Sequence, residues 1–200
     1  MRALIFDFGN VVGFFDYGHT LRRLSCHTDM TAGEMRDALS NSVLAEDYEA
    51  GRISSADFLT QTRGLWRLTC DDETLAKAWA DIFQPNPEVC DLMPRLHGRY
   101  RLLLGSNTNE LHTRQFRCQF ADTLRHFDAL VLSHEIGIRK PQAGFFEHCR
   151  GLADCPPGEC VFIDDLAVNI VGARACGLQT VHYEPGNDLA GKLGALGVHW

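Results

Sequence analysis

The sequence predicts an α/β protein: a parallel sheet flanked by helices, with a helical segment inserted after the first strand. Three observations predict it. From residue 87 onward, short apolar runs alternate with helical stretches of about 10–15 residues, the pattern of strands joined by crossover helices. A first apolar run, residues 3–6, stands far upstream of the others. Between them, residues 15–86 contain no convincing strand but several helix starts.

The strand candidates are residues 3–6, 101–104, 129–132, 160–163 and 179–183, each short, apolar and followed by a turn or polar residue. Inside the insertion, Thr31 with Glu34 has the spacing of a capping box and Ser54 with Asp57 resembles one. Asp71 or Asp72 can cap a run that puts Leu75, Trp79 and Ile82 on one face, and Trp66 and Trp79 read as core of these helices. Pro85 and Pro87 close the segment. Pro87 suits the first turn of a new helix, and Pro94 within that helix predicts a kink or a late start. The organisation expected is a core of residues 1–14 and 87–200 and a helical cap of residues 15–86, placed to act as a lid.

A chain of 200 residues, 45% hydrophobic and 22% charged, accommodates one core domain with a modest insertion. A net charge of −7 with no basic run disfavours nucleic acid and anionic membranes as partners. The first apolar run ends at Asp7 and no later one approaches membrane-span length, so a cytoplasmic location is expected. The eight cysteines have no repeated short spacing, which favours reduced thiols, and Cys155 with Cys160 lacks the second pair that a structural zinc requires.

Four segments carry chemistry. In LIFDFGNVVG, Asp7 ends an apolar strand, and ligands of open parallel sheets bind outside such ends; a turn cap is the competing role. In RLLLGSNTN, Ser106 and Asn107 offer neutral donors for phosphate oxygens, or else cap a helix. In SHEIGIRKPQAGFF, Pro141 biases Lys140 toward an extended conformation at the mouth of a helix. In CVFIDDLAVNIVGARACG, a strand ends in Asp164 and Asp165, and a helix starting there would put Asp165 and Asn169 near one face. Adjacent acids at a strand end raise each other's pKa unless a cation compensates. Asp7, Asp164 and Asp165 together carry three negative charges, which Lys140 and one divalent ion would neutralise. Oxygen-only ligands suit magnesium.

Strand-Asp, strand-Ser, Lys-Pro and strand-Asp-Asp in this order resemble the haloacid dehalogenase superfamily over essentially the whole chain. FDFGNVV, SNTNELH, GIRKP and DDLAVN are similar to its bacterial sugar-1-phosphate phosphatase branch. The resemblance implies a Rossmann-like core with an inserted helical cap, and a magnesium-dependent phosphatase of a small phosphorylated metabolite. In it Asp7 attacks phosphorus to form an aspartyl-phosphate, while Ser106 and Lys140 bind the transferring group. It further implies Asp7, the Gly9 carbonyl and Asp165 as magnesium ligands, Asp164 orienting Lys140 or the metal waters, and Asn169 behind them. Asn109 and His112 follow the second motif closely enough to border the pocket.

Gly9 departs from the pattern, because most phosphatases of the superfamily carry there the Asp that protonates the leaving group. Three outcomes stay open: substrates whose leaving oxygens need little protonation, Asp16 or His19 reaching back as the acid, or binding without turnover. Metal-independent hydrolysis of a 2-haloacid is the competing reaction, against which Asp164 and Asp165 argue. GNDLAGKL, residues 186–193, nearly spells a phosphate-binding loop, but Leu193 stands where the magnesium-binding hydroxyl is needed.

Overall fold

In the computed structural model, which describes residues 1–200, the first apolar run forms β1 (Ala3–Phe6). A short strand β2 (Gly13–Phe15) leads into five helices: α1 (Tyr17–Leu24), α2 (Ala32–Ser40), α3 (Leu44–Glu49), α4 (Ser55–Leu65) and α5 (Asp72–Ala80). The chain returns through β3 (Phe83–Pro85), antiparallel to β2. Then follow α6 (Pro87–Cys90), α7 (Met93–Leu96), β4 (Arg101–Ser106), α8 (Glu110–Gln119), α9 (Ala121–Leu124) and β5 (Ala129–Leu132). The last elements are α10 (Ser133–Ile136), α11 (Ala143–Ala153), β6 (Cys160–Asp164), α12 (Ala167–Ala175), β7 (Gln179–His182) and α13 (Leu189–Ala195).

The main sheet has the order β5-β4-β1-β6-β7 and is parallel throughout. The chain grows outward from β1 to β5, then returns to lay β6 on the other side of β1. That reversal makes the crevice outside the carboxyl ends of β1 and β6 the place for a ligand. Strand periodicity sorts the core into two layers. Leu4, Phe6, Leu102, Leu104, Val161 and Ile163 face one side, and Ala3, Ile5, Leu103, Cys160 and Phe162 face the other, against Phe145 and Phe146 of α11.

A third core, from Leu21 to Trp79 and including Met35, Phe58 and Trp66, is made of residues of the insertion, with Leu111 of α8 packed against it. The starts of the inserted helices follow the local chemistry expected. Thr31 and Ser54 form capping boxes with Glu34 and Asp57, and the Asp71 carboxylate accepts the Thr74 N–H at 2.8 Å. Pro94 falls at the second position of α7, so the predicted long helix divides into α6 and α7.

Two sequence expectations need correction. Residues 83–85 were expected to be free of strand, yet they pair with β2 as the ribbon that joins insertion and sheet. A three-residue edge strand containing proline has too little alternation to be seen in sequence. β4 and β6 also run further than expected, to Ser106 and Asp164, so those two side chains are held by strand hydrogen bonding rather than by loops. In the phosphate-loop lookalike, Asp188 accepts the Gly191 N–H at 2.7 Å, so the start of α13 is capped by its own carboxylate. No helix is long and apolar enough to cross a membrane.

Candidate active site

Parallel register decides which side chains meet. Phe6 lies beside Ile163 of β6 and Leu104 of β4, so the next residue, Asp7, emerges next to Asp164; the Asp7 N–H donates to the Ile163 carbonyl at 2.8 Å. Lys140 enters from the loop before α11. Its Nζ lies 2.7 Å from Asp7 Oδ1 and 2.7 Å from Asp164 Oδ2, and all three side chains are buried.

The Asp164 carboxylate is fully engaged. Besides Lys140 it accepts the Leu166 N–H at 2.8 Å and the Asn169 amide at 3.0 and 3.1 Å. Asn169 therefore supports Asp164, not Asp165 as helical spacing suggested, because α12 begins only at Ala167 and its first turn faces back toward the strand end. Asp7 Oδ1 accepts the Phe8 N–H at 2.7 Å as well as Lys140, which leaves Oδ2 free of protein donors. Asp165 is half-buried, and its Oδ2 accepts the Asn10 side-chain amide at 3.0 Å.

Burial pushes the Asp7 carboxyl up to about 7; Lys140 opposes this, and Asp164 and Asp165 add to it. Asp165 is raised too, by burial and then by Asp164, against the Asn10 hydrogen bond. For Lys140, burial disfavours the charge, yet Asp7 and Asp164 outweigh it and hold the ammonium above the ordinary lysine value. One ligand oxygen from each of Asp7, Asp164 and Asp165 lies within 4.8 Å of the others. One ammonium among three carboxylates leaves excess negative charge in a buried place, and the donor set is all oxygen. These residues fit a hard divalent cation.

Ser106 is buried at the end of β4 and lines a small cavity of about 80 Å³ together with Phe8, Gly9, Asn107 and Glu49. The Asn107 side chain, expected as a phosphate donor, lines this cavity and is also tied to the backbone of Lys140: its Nδ2 donates to the carbonyl at 3.0 Å and its Oδ1 accepts the N–H at 2.8 Å. Asn107 thus holds the lysine in place. Asn109 is the N-cap of α8, accepting the His112 N–H at 3.0 Å, and is buried away from the cavity. His112 borders the cavity but is committed on both nitrogens, to the Trp79 carbonyl and the Asn109 amide, each at 3.0 Å.

Asp16 is the exposed N-cap of α1, accepting the Gly18 N–H at 2.7 Å and facing Arg22 at 3.2 Å and His19 at 3.6 Å. It lines a larger cavity of about 630 Å³ formed mostly by the insertion and closed by Arg139 of the core, whereas His19 lines neither cavity. Capping of α1 fixes Asp16 beside that cavity, and surface pairing with Asp16 accounts for His19.

Sequence reasoning gave no place here to Asn10, which holds Asp165, to Tyr17 and Glu49, which line the small cavity, or to Arg139 and Ser133, which bind the Glu49 side chain and carbonyl. Asn10 has a positive φ of 55°, which asparagine tolerates better than most residues, so a turn signal was present in FGN. The others carry no local signal, since tertiary packing alone brings them here.

The chain belongs to the haloacid dehalogenase-like hydrolases, whose family model matches residues 1–177. It is 36% identical over 183 residues to a sesquiterpene phosphatase of Aspergillus oryzae, covering 90% of this chain and 89% of that one. It is 24% identical over 199 residues to the D-ribitol-5-phosphate phosphatase of Bacteroides thetaiotaomicron, covering 96% and 97%. A haloacid dehalogenase family enzyme of Bacteroides thetaiotaomicron, solved in complex with magnesium and inorganic phosphate, shares the fold with a TM-score of 0.82 at 23% identity, covering 96% and 98%. The named relatives are phosphoric monoester hydrolases.

Proposed function

We propose that this chain is a magnesium-dependent phosphatase of a small phosphorylated metabolite, working through an aspartyl-phosphate at Asp7. The observation that carries the reading is the bridge Asp7–Lys140–Asp164 with Asp165 beside it. A buried carboxylate held by an ammonium, next to excess negative charge that a divalent cation would balance, suits attack on a dianionic phosphate. Asp7 through Oδ2, Asp165 and the Gly9 carbonyl would hold magnesium, which when bound would supply charge neutralisation for phosphate and nucleophile alike.

In this reading Asp7 attacks phosphorus in line with the departing oxygen, while Lys140 and Ser106 hold the phosphoryl oxygens. Asp164, engaged by Asn169 and Leu166, keeps Lys140 aimed at Asp7. The larger cavity, lined by Tyr17, Trp79, Arg36 and Glu46 among others, suits the organic part of a small metabolite with both apolar and polar groups. Sugar 1-phosphates remain within the class, on the strength of the four motifs; the relatives' substrates widen it to alditol and terpenoid phosphates.

The test is a panel of phosphorylated metabolites assayed with magnesium, beside Asp7→Asn. Turnover by the native chain that chelation removes, and none by Asp7→Asn, is expected. Undiminished turnover in Asp7→Asn would overturn the reading, and chelation-resistant release of halide from a 2-haloacid would favour dehalogenation.

A further inference from the structure

Position 9 carries no side chain, so the proton for a departing oxygen must come from elsewhere if phosphate esters with basic leaving groups are to be cleaved. The small cavity beside Ser106 and Gly9 and the larger one between the insertion and Arg139 have three lining residues in common, Phe15, Tyr17 and Glu49. These three stand where phosphate and organic group would join. Glu49 is the one carboxylic acid among them: Phe15 has no proton to give, and burial and the Glu49 charge push the Tyr17 hydroxyl far above its ordinary value. Resting on the phosphatase reading above, we propose that Glu49, at the end of α3, is the acid and base of the reaction.

The fold holds this residue firmly against the sheet. The Glu49 carbonyl accepts the Ser133 hydroxyl at 2.6 Å, and Ser133 is itself bonded to the backbone of Thr108 next to the Ser106–Asn107 turn. Two residues on, Gly51 has φ of +66°, and a β-carbon there would stand 2.3 Å from the His134 carbonyl oxygen. Only glycine permits that approach. The insertion thus touches the core at the point where it delivers Glu49.

The charged neighbours allow both protonation states. Arg139 pairs with Glu49 at 2.8 Å and with Glu46, on the same helix, at 2.9 Å. When Glu49 is protonated, Arg139 keeps Glu46 as partner, so neither state strands a charge. Burial raises the Glu49 carboxyl above the ordinary value, with Arg139 and Lys140 pulling it down and Glu46 pushing it up. Lys140 faces it from the core and Tyr17 from α1.

The steps balance. As Asp7 bonds to phosphorus and the ester P–O bond breaks, its electron pair stays on the departing oxygen, which takes the proton from Glu49. The Glu49 carboxylate then removes a proton from water as that water's oxygen bonds to phosphorus. The bond to Asp7 breaks, inorganic phosphate leaves, and Glu49 is protonated again.

The experiment uses Glu49→Gln in the full chain with magnesium, on p-nitrophenyl phosphate and on the best alkyl phosphate of the panel. The nitrophenolate leaving group needs no proton, so its first turnover should survive as a burst of about one equivalent, followed by slow release. Alkyl phosphate turnover should fall ~10²–10⁴-fold, the ordinary contribution of a general acid or base, and the high-pH limb of its rate profile should vanish. Gly51→Ala, which displaces Glu49 without altering it, should give the same selectivity. Equal losses on both substrates without a burst, or a raised KM with unchanged kcat, would make Glu49 a binding residue and overturn the proposal. Asp7→Asn distinguishes the two levels: turnover there would sink the aspartyl-phosphate reading whatever Glu49→Gln does.

Discussion

The ring of Phe15 stands over Gly9, so that a β-carbon on Gly9 would lie 3.0 Å from Phe15 Cε1. The two residues are complementary: the glycine leaves the space and the aromatic ring, at the end of the ribbon strand β2, fills it. Restoring an acid at position 9 is therefore not a neutral graft.

Gly9→Asp is expected to cost up to about 1 kcal/mol, the low end for overpacking because the Phe15 ring is exposed, and Phe15→Ala in the same chain should recover much of that loss. Urea denaturation of the two single variants and the double variant measures the coupling. Additive effects would mean that the ring moves aside freely.

Lys140→Met leaves Asp7 and Asp164 buried without their shared cation. Loss of one partner of such a group destabilises by ~3–5 kcal/mol, and because protonated carboxyls need no partner the deficit should shrink on acidification from pH 8 to pH 5. Denaturation midpoints at the two pH values decide it; a pH-independent deficit would contradict the bridge as a charge device.

Magnesium should raise the melting temperature, and more at pH 8 than at pH 5.5. With Asp7 pushed up to about 7, its carboxyl must lose a proton to bind a cation below that pH, so affinity falls as pH drops. Asp7→Asn and Asp165→Asn should each abolish most of the shift. A shift retained in both would move the cation elsewhere.

His112 gives the protein a separate acid sensitivity. Burial pushes it down to about 4, and its Nε2–H donates to the Trp79 carbonyl while Nδ1 accepts from Asn109. The unfolded chain, with histidine near 6.5, binds more protons than the folded one between pH 6.5 and 4. Stability is thus complete above 6.5 and declines as pH falls toward 4, by up to ~3 kcal/mol for this group. In His112→Asn that part of the slope should disappear from a stability-against-pH series.

Much of the site was legible because its chemistry sits at strand ends. Asp7, Ser106 and Asp164 each terminate an apolar run, and a strand fixes the direction of the side chain that ends it. Lys140 was legible from the order of the motifs, and the caps at Thr31, Ser54 and Asp71 from chemistry within three residues along the chain. Partnerships across the fold were not. The Asn107 type suits a donor to phosphate and does not reveal that it also holds Lys140; helical spacing puts Asn169 beside Asp165, yet it serves Asp164; and Asn109, close to the second motif, caps α8. An amide has donors and acceptors for any of these tasks, and its type alone does not choose among them.

By itself, the sequence determined the alternation of strand and helix, the insertion after β1 and the acidic ends of β1 and β6, since periodicity, caps and strand ends are local properties. Tertiary structure alone decided which groups share a charge and which reach across from the insertion. Lys140 meets Asp7 and Asp164 because parallel register sets β1 beside β6, and Glu49 meets the small cavity because Gly51 lets α3 close on His134. Charge interactions depend on distance and burial, and neither exists until the chain has folded.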